Sequence, residues 1–271
     1  TGKKSELVKV FANRFFEKYG IKKLVSIDVK QTIPEHQGLG SGTQLALAVS
    51  TALKNLFHLD VTIKELSLAM GRMKRTGVGT VVFEQGGFVL DGGKRFKDGT
   101  IDVESVPPLI MQTPFPEDWT FVVVIPNIKK GLAMNEEKNA FKRISTMPSD
   151  VVGNICWLTM MKLLPSLVDY DIVNFGSALT QIQKIVGNFF ADVQGGTYAS
   201  LLSKKIIDFM DDNGAYGVGQ SSWGPAVYGL VEDKIQAANL KSEVNSFLKD
   251  NGEGRVFIAK ANNQGAIIKK V

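Results

Sequence analysis

Apolar residues recur at helical spacing from the start of the chain. Leu7, Val10, Phe11 and Phe15 line one face of a helix predicted to stop at Tyr19-Gly20. The period then changes to two: Val25, Ile27 and Val29 alternate with polar residues and predict a strand over Leu24 to Ile33. Helical spacing returns at Leu45, Val49, Ala52, Leu53 and Leu56, on a segment rich in alanines that suit close packing against a sheet. A further helix is predicted from Thr62, with Glu65 completing a capping box, through Leu66, Ala69 and Met73. Val81 to Gly93 reads as two short strands separated by glycines and closed by an Asp-Gly turn. Trp119 to Pro126 reads as a buried strand after a proline-rich irregular stretch.

Beyond that strand the pattern becomes helical from Glu136. Stripes fall at Ala140 to Ile144, Val151 to Leu164, Ile172 to Val186 and Leu202 to Met210, the last stopped by Asn213-Gly214. Met160, Met161 and Cys156 read as core residues. Two short strands then flank a loop of small residues at Gly217 to Gly224, followed by a helix over Ile235 to Leu248. A strand pair is predicted at Arg255 to Ala259 and Ala266 to Ile268. The fold class is therefore α+β, with domains over residues 1–130 and 131–271.

Composition narrows the function classes. The 271 residues are 44% hydrophobic, enough for one large or two modest cores. No apolar run is read as reaching the roughly 18 residues that span a bilayer, and no signal-peptide pattern opens the chain, so a cytoplasmic protein without membrane partners is expected. The single Cys156 excludes an internal disulfide and gives no hint of structural zinc. A net charge of +5 invites thoughts of nucleic acid, but the lysines are dispersed and not interleaved with aromatics. Anionic small molecules fit better.

Candidate chemistry concentrates in three stretches. Pro34 to Gln44, with glycines at 38, 40 and 42, joins a predicted strand to a predicted helix. Stripped of side chains, its backbone N–H groups can approach a phosphate at the helix's positive end, with Ser41 and Thr43 beside them. Ser41 and Gln44 equally spell a capping box, which accounts for Ser41 without a ligand. Arg72, Lys74 and Arg75 cluster between glycines and resemble an anion clamp, or else cations in a helix's last turn. Ser221 and Ser222 have hydroxyls and N–H groups to offer an anion. Glu84 and Asp91 are acid–base or metal-binding candidates, or strand and turn residues, the turn being the stronger explanation for Asp91. His58, after the second helix's stripe, reads as a surface or packing residue.

The wording P-x-x-x-G-L-G-S at Pro34 to Ser41 resembles the phosphate motif of the superfamily that includes galactokinase, homoserine kinase, mevalonate kinase and phosphomevalonate kinase. Together with F-E-Q-G-G-F-V-L-D-G-G and G-A-Y-G-V-G-Q-S-S-W-G-P, it resembles one branch, the β-ribofuranosylaminobenzene 5′-phosphate synthases of methanopterin biosynthesis. The resemblance runs from about Val25 to Val231. It implies a left-handed β-α-β unit in the N-terminal domain, rare by the usual handedness rule, and a ferredoxin-like C-terminal domain. It also implies strands preceding residue 1, consistent with an opening that lacks Met. A sheet edge left unpaired there would invite a homo-oligomer.

The implied reaction joins phosphoribosyl pyrophosphate to 4-aminobenzoate or a 4-hydroxybenzoate-like acid, releasing pyrophosphate and CO₂. Mg²⁺ is expected, with metal ligands unassigned. Arg72, Lys74 and Arg75 would hold the leaving pyrophosphate, Glu84 or Asp91 would stabilise the ribosyl cation, and His36 would touch substrate or act as an acid. The kinases carry a second serine that helps hold nucleotide Mg²⁺; Gly42 stands there instead, which argues against phosphoryl transfer from ATP. An ATP-dependent small-molecule kinase remains the first alternative and a non-catalytic anion or nucleic-acid binding module the second.

Overall fold

The computed structural model describes residues 5–98, 100–128 and 146–269. Two compact units emerge. The first comprises residues up to Glu35, Gly40–Phe115 and the chain's end from Asn262; the second comprises His36–Leu39 and Pro116–Ala261. The division anticipated at residues 130 and 131 falls outside the described residues, as does the helix expected over Ala140 to Ile144.

In the first unit, α1 (Ser5–Tyr19) lays Val8, Phe11, Ala12 and Phe15 against Ala46, Leu47, Val49 and Leu53 of α2 (Ser41–Leu56). These positions repeat at three and four residues, the spacing of one helical face. Helix α3 (Ile63–Ala69) carries the expected capping box: Thr62 Oγ1 accepts from the Glu65 N–H at 3.1 Å, and Glu65 accepts from the Thr62 N–H at 2.7 Å. It stops before Met73, because Gly71 and Met73 both take positive φ, 71° and 60°.

Some predictions for this unit fail. The run from Leu24 to Ile33 forms only an isolated bridge at Val29, although Val25, Ile27 and Val29 stay inward against the helices as their alternation requires. Periodicity orients side chains without by itself making a ladder. Val81 to Asp91 is not a hairpin either. Val78–Gln85 is a helix, α4, and β1 (Phe88–Asp91) pairs antiparallel with β4 (Leu109–Thr113) across the small ladder of β2 (Phe96–Lys97) and β3 (Thr100–Ile101). The β-branched composition of α4 favours a strand, yet Thr80 and Phe83, one turn apart, bury on the helical core and tertiary packing overrides propensity. The chain's end closes this unit. Asn263 bonds Phe115 through both N–H and C=O at 2.9 Å, and the Ala266 N–H reaches Phe83 O at 2.7 Å, so Ala266 to Ile268 serves as a strap and not as a strand.

The second unit is built on an antiparallel sheet in the order β6-β7-β5-β8, from β5 (Thr120–Pro126), β6 (Gly217–Gln220), β7 (Val227–Val231) and β8 (Gly254–Lys260). Counted from β5 the order is second, third, first, fourth, a ferredoxin-like arrangement. Val122 and Val124 face a core with Ile206, Ile207 and Met210 of one helix (Leu201–Asp212) and Leu240, Val244 and Leu248 of another (Lys234–Asn251). The helix Ile172–Phe189 backs the sheet so closely that a Cβ on Gly176 would lie 2.1 Å from Tyr216 O.

The stretch Ser149–Val168 also departs from expectation. It is one helical run, long and apolar enough by length and composition to cross a membrane, although it carries Asp150 and Lys162. Its middle, Leu158–Leu163, is wound as a π-helix that turns Leu158 and Leu163 inward. Met160, Met161 and Cys156, read as core, are exposed.

Candidate active site

Helix α2 begins at Ser41 because Gly40, at φ 68° in the left-handed region, ends the loop, and its carbonyl receives the Thr43 and Gln44 N–H groups at 3.1 Å. No side chain caps this helix. The capping box read at Ser41 and Gln44 is therefore not made: Gln44 Nε2 donates instead to Gly79 O at 2.8 Å. Ser41 and Gly42 occupy the first helical positions, whose N–H groups have no acceptor within a helix.

Against this end lies Arg72. Both its terminal nitrogens sit 3.5 Å from where a Cβ on Gly42 would be, and the guanidinium stacks 5.2 Å from the Phe11 ring. Its Nε is buried without a partner. Burial first, and then the nearby Arg14, pull its pKa down from the ordinary guanidinium value. The Arg72 guanidinium thus sits at the positive end of a helix, with like charge added by the nearby, exposed Arg14, whose Nη1 donates to Met70 O at 3.1 Å, and an anion there would stabilise it.

The remaining candidates separate. Met73 turns the chain, so Lys74 and Arg75 are exposed while Arg72 points in. Asp91 is committed locally. Its carboxylate accepts from the Gly77 N–H at 2.6 Å, the Gly93 N–H at 3.1 Å and the Thr76 hydroxyl, and so anchors the start of α4. Glu84 is exposed near the other end of α4, about 10 Å away along the helix axis. The structure does not bring these two carboxylates together.

His36 and Gly38 belong to the second unit, where the two glycine-rich stretches interlock. Ser221 Oγ donates to Gly38 O at 2.9 Å and the Ala226 N–H to Gln37 O at 3.3 Å. A Cβ on Gly224 would fall 2.0 Å from the Gln37 carbonyl carbon, and one on Gly38 only 1.9 Å from Ser221 O. Ser221 therefore holds the loop, whereas Ser222 and His36 are exposed with φ 56° and 57°. Arg14 was not anticipated; its only signal is a cation one helical turn from Phe11 on an otherwise apolar stripe. Among the described residues no cluster of His, Cys, Asp and Glu is arranged to hold a metal.

Residues 6–86 match the N-terminal domain of the GHMP kinases and residues 163–250 their C-terminal domain. The chain is 32% identical over 265 residues to the beta-ribofuranosylphenol 5'-phosphate synthase of Methanothermobacter thermautotrophicus, covering 96% of this chain and 78% of that protein. The enzyme of that name from Archaeoglobus fulgidus is 35% identical over 250 residues, covering 90% and 76%. The chain belongs to this synthase family. It is an enzyme on the GHMP kinase scaffold, as the resemblance implied. A 4-diphosphocytidyl-2-C-methyl-D-erythritol kinase from Bacillus cereus is more distant, at 30% over 233 residues and 85% and 68% coverage. In fold, a homoserine kinase from Cytophaga hutchinsonii superposes with TM-score 0.64 at 19% identity, covering 96% of this chain and 77% of that one. An L. major mevalonate kinase superposes with TM-score 0.67 at 14% identity, covering 97% and 79%.

Proposed function

We propose that this synthase joins the ribosyl carbon of phosphoribosyl pyrophosphate to the ring of a para-substituted benzoate, releasing pyrophosphate and CO₂, as a step of methanopterin biosynthesis. The observation that carries the reading is the uncompensated Arg72 guanidinium at Gly42 on the first turn of α2. A pyrophosphate supplies the charge this end lacks, and charge-assisted hydrogen bonds to it are worth about 1.5–3 kcal/mol each. The serine that the kinases carry at this place would put its hydroxyl against the guanidinium. The relatives' name, a ribofuranosylphenol phosphate, favours a hydroxyl over an amino group as the para substituent.

The chemistry balances without an oxidant. The bond from ribose C1 to pyrophosphate breaks with its electron pair leaving on pyrophosphate. The ring carbon bearing the carboxylate forms the new C–C bond, and the C–CO₂ pair returns to the ring as CO₂ departs. Arg72, backed by Arg14, holds the leaving group. Asp91 positions the Thr76-Gly77 turn. Mg²⁺ is taken to enter on the pyrophosphate, because this ion binds through substrate phosphates and few protein groups, and Ser41 and Thr43 are the hard donors the loop would offer it.

Incubation with phosphoribosyl pyrophosphate, Mg²⁺ and carboxyl-labelled 4-hydroxybenzoate or 4-aminobenzoate should release labelled CO₂ and form the aryl riboside. No CO₂ from either acid overturns the proposal. A thermal shift with Mg-ATP but none with phosphoribosyl pyrophosphate would favour a kinase instead.

A further inference from the structure

The first unit contains a cavity of about 170 Å³ against the helix that follows the glycine loop. One wall is Ser41, Gln44, Leu45 and Ala48, spaced as a single face of α2. The other is Gln31, Thr32, Ile33 and Glu35, from the run that leads into the loop. A cavity of about 150 Å³ accommodates one benzene ring. Of the three apolar side chains that line it, Ile33 and Ala48 are exposed, which leaves apolar surface for an occupant to cover.

Its position ties it to the anion site of the same unit. Ser41 lines the cavity. Gly42, the next residue and about 100° further round the helix, is the one beside which both terminal nitrogens of Arg72 lie. The cavity and the guanidinium therefore flank one helix end from different sides. The wall is already shaped, since Gln44 Nε2 donates to Gly79 O at 2.8 Å and holds that side chain in place. Glu35 is the one charged residue among those lining the space, so no cation there would hold the 5′-phosphate of the sugar.

We propose that this cavity receives the ring of the aromatic acceptor, with the carboxylate-bearing carbon toward Ser41 and the uncharged para substituent toward Ala48. The inference rests on the reading of the chain as a synthase acting on a benzoate. The volume admits one ring. The positive end of α2 attracts the carboxylate and so sets the ring's direction. The entering ring carbon and the leaving pyrophosphate must reach ribose C1 from different directions, and the two sides of one helix end supply them. Ala48, about 10 Å along the helix from Ser41, thereby becomes the residue that limits how long the para substituent can be.

The test is binding of 4-hydroxybenzoate, 4-aminobenzoate and adenosine to the whole protein by calorimetry, with Mg²⁺ and pyrophosphate present, beside the release of labelled CO₂. Ala48→Leu, at an exposed helical position, should fold normally and weaken both acids about tenfold to two-hundredfold, the range for a misfit of one methylene in a pocket. Ile33→Ala should weaken them severalfold. Both variants should leave pyrophosphate affinity unchanged. No binding of either acid to the unaltered protein, acid binding unmoved by Ala48→Leu, an equal loss of pyrophosphate, or adenosine bound in place of the acids overturns the assignment. If CO₂ is released but Ala48→Leu leaves the KM for the acid unmoved, the cavity assignment falls and the synthase reading stands. If no CO₂ is released yet the Ala48-dependent binding is found, the cavity stands and the synthase reading falls.

Discussion

The glycines of the two rich stretches look alike in the sequence and do opposite things. At Gly38 and Gly224 the missing side chain is replaced by another backbone, approaching within 2.0 Å of where a Cβ would stand. At Gly40 there is nothing within 4 Å, and at Gly42 the nearest group is the Arg72 guanidinium. The first pair makes the loop rigid; the second keeps a charged space open. A glycine-rich motif therefore divides into residues where two backbones touch and residues that leave space beside them.

The largest effect should come from filling the closed kind. Gly224→Ala forces a methyl into the Gln37 carbonyl and should cost about 3 kcal/mol, the upper part of the overpacking range, read as a lower urea midpoint with unchanged slope. Little change would mean the interlock is loose. Next, Arg72→Ala should weaken phosphoribosyl pyrophosphate about tenfold to a hundredfold, the loss of one charge-assisted bond. It should leave the ligand-free unfolding temperature unchanged or raise it, since an uncompensated buried charge is removed. Gly42→Ser, in ordinary contact with the guanidinium, should fold normally and weaken the same ligand only severalfold; a gain of Mg-ATP binding would make the position a kinase switch.

The smallest effects separate the two capping-box spellings. Thr62→Ala should cost about 1 kcal/mol, whereas Ser41→Ala should not destabilise the fold, because α2 has no side-chain cap. The Thr62 N–H and then its hydroxyl hold the Glu65 pKa below the usual carboxylate value. A depressed carboxylate stabilises above its unfolded pKa and loses that contribution as pH falls through the folded one. Glu65→Gln should therefore flatten the acid limb of the stability curve slightly, measurable by thermal melts between about pH 3 and 5.

What the sequence made legible follows from the range of the forces involved. Helices α1 and α2, the cap at Thr62 and the strands around Gly217 to Val231 are written in local period and local hydrogen bonding. Helix α4 is not: its valines favour a strand, and only Thr80 and Phe83 reaching a distant core make it helical. The run before Pro34 showed which way its side chains face but could not show that it forms an isolated bridge at Val29 in place of a strand. At the site, Arg72 was legible as a cation among glycines, yet its separation from Lys74 depends on the positive φ of Met73.

The strap from Asn262 has a temporal side. Its contact with Phe115 spans 148 residues and the Ser221 bond to Gly38 spans 183. At about 5–20 residues per second of synthesis, Phe115 emerges some 7–30 s before Asn263 can reach it. For that interval the first unit exists without its closing bonds, with the backbone at Phe83 and Phe115 lacking its final partners. Completion of both units is thus tied to the last third of the chain, and a nascent fragment ending before Ser221 would present the glycine loop unclamped, its turn formed only by local geometry.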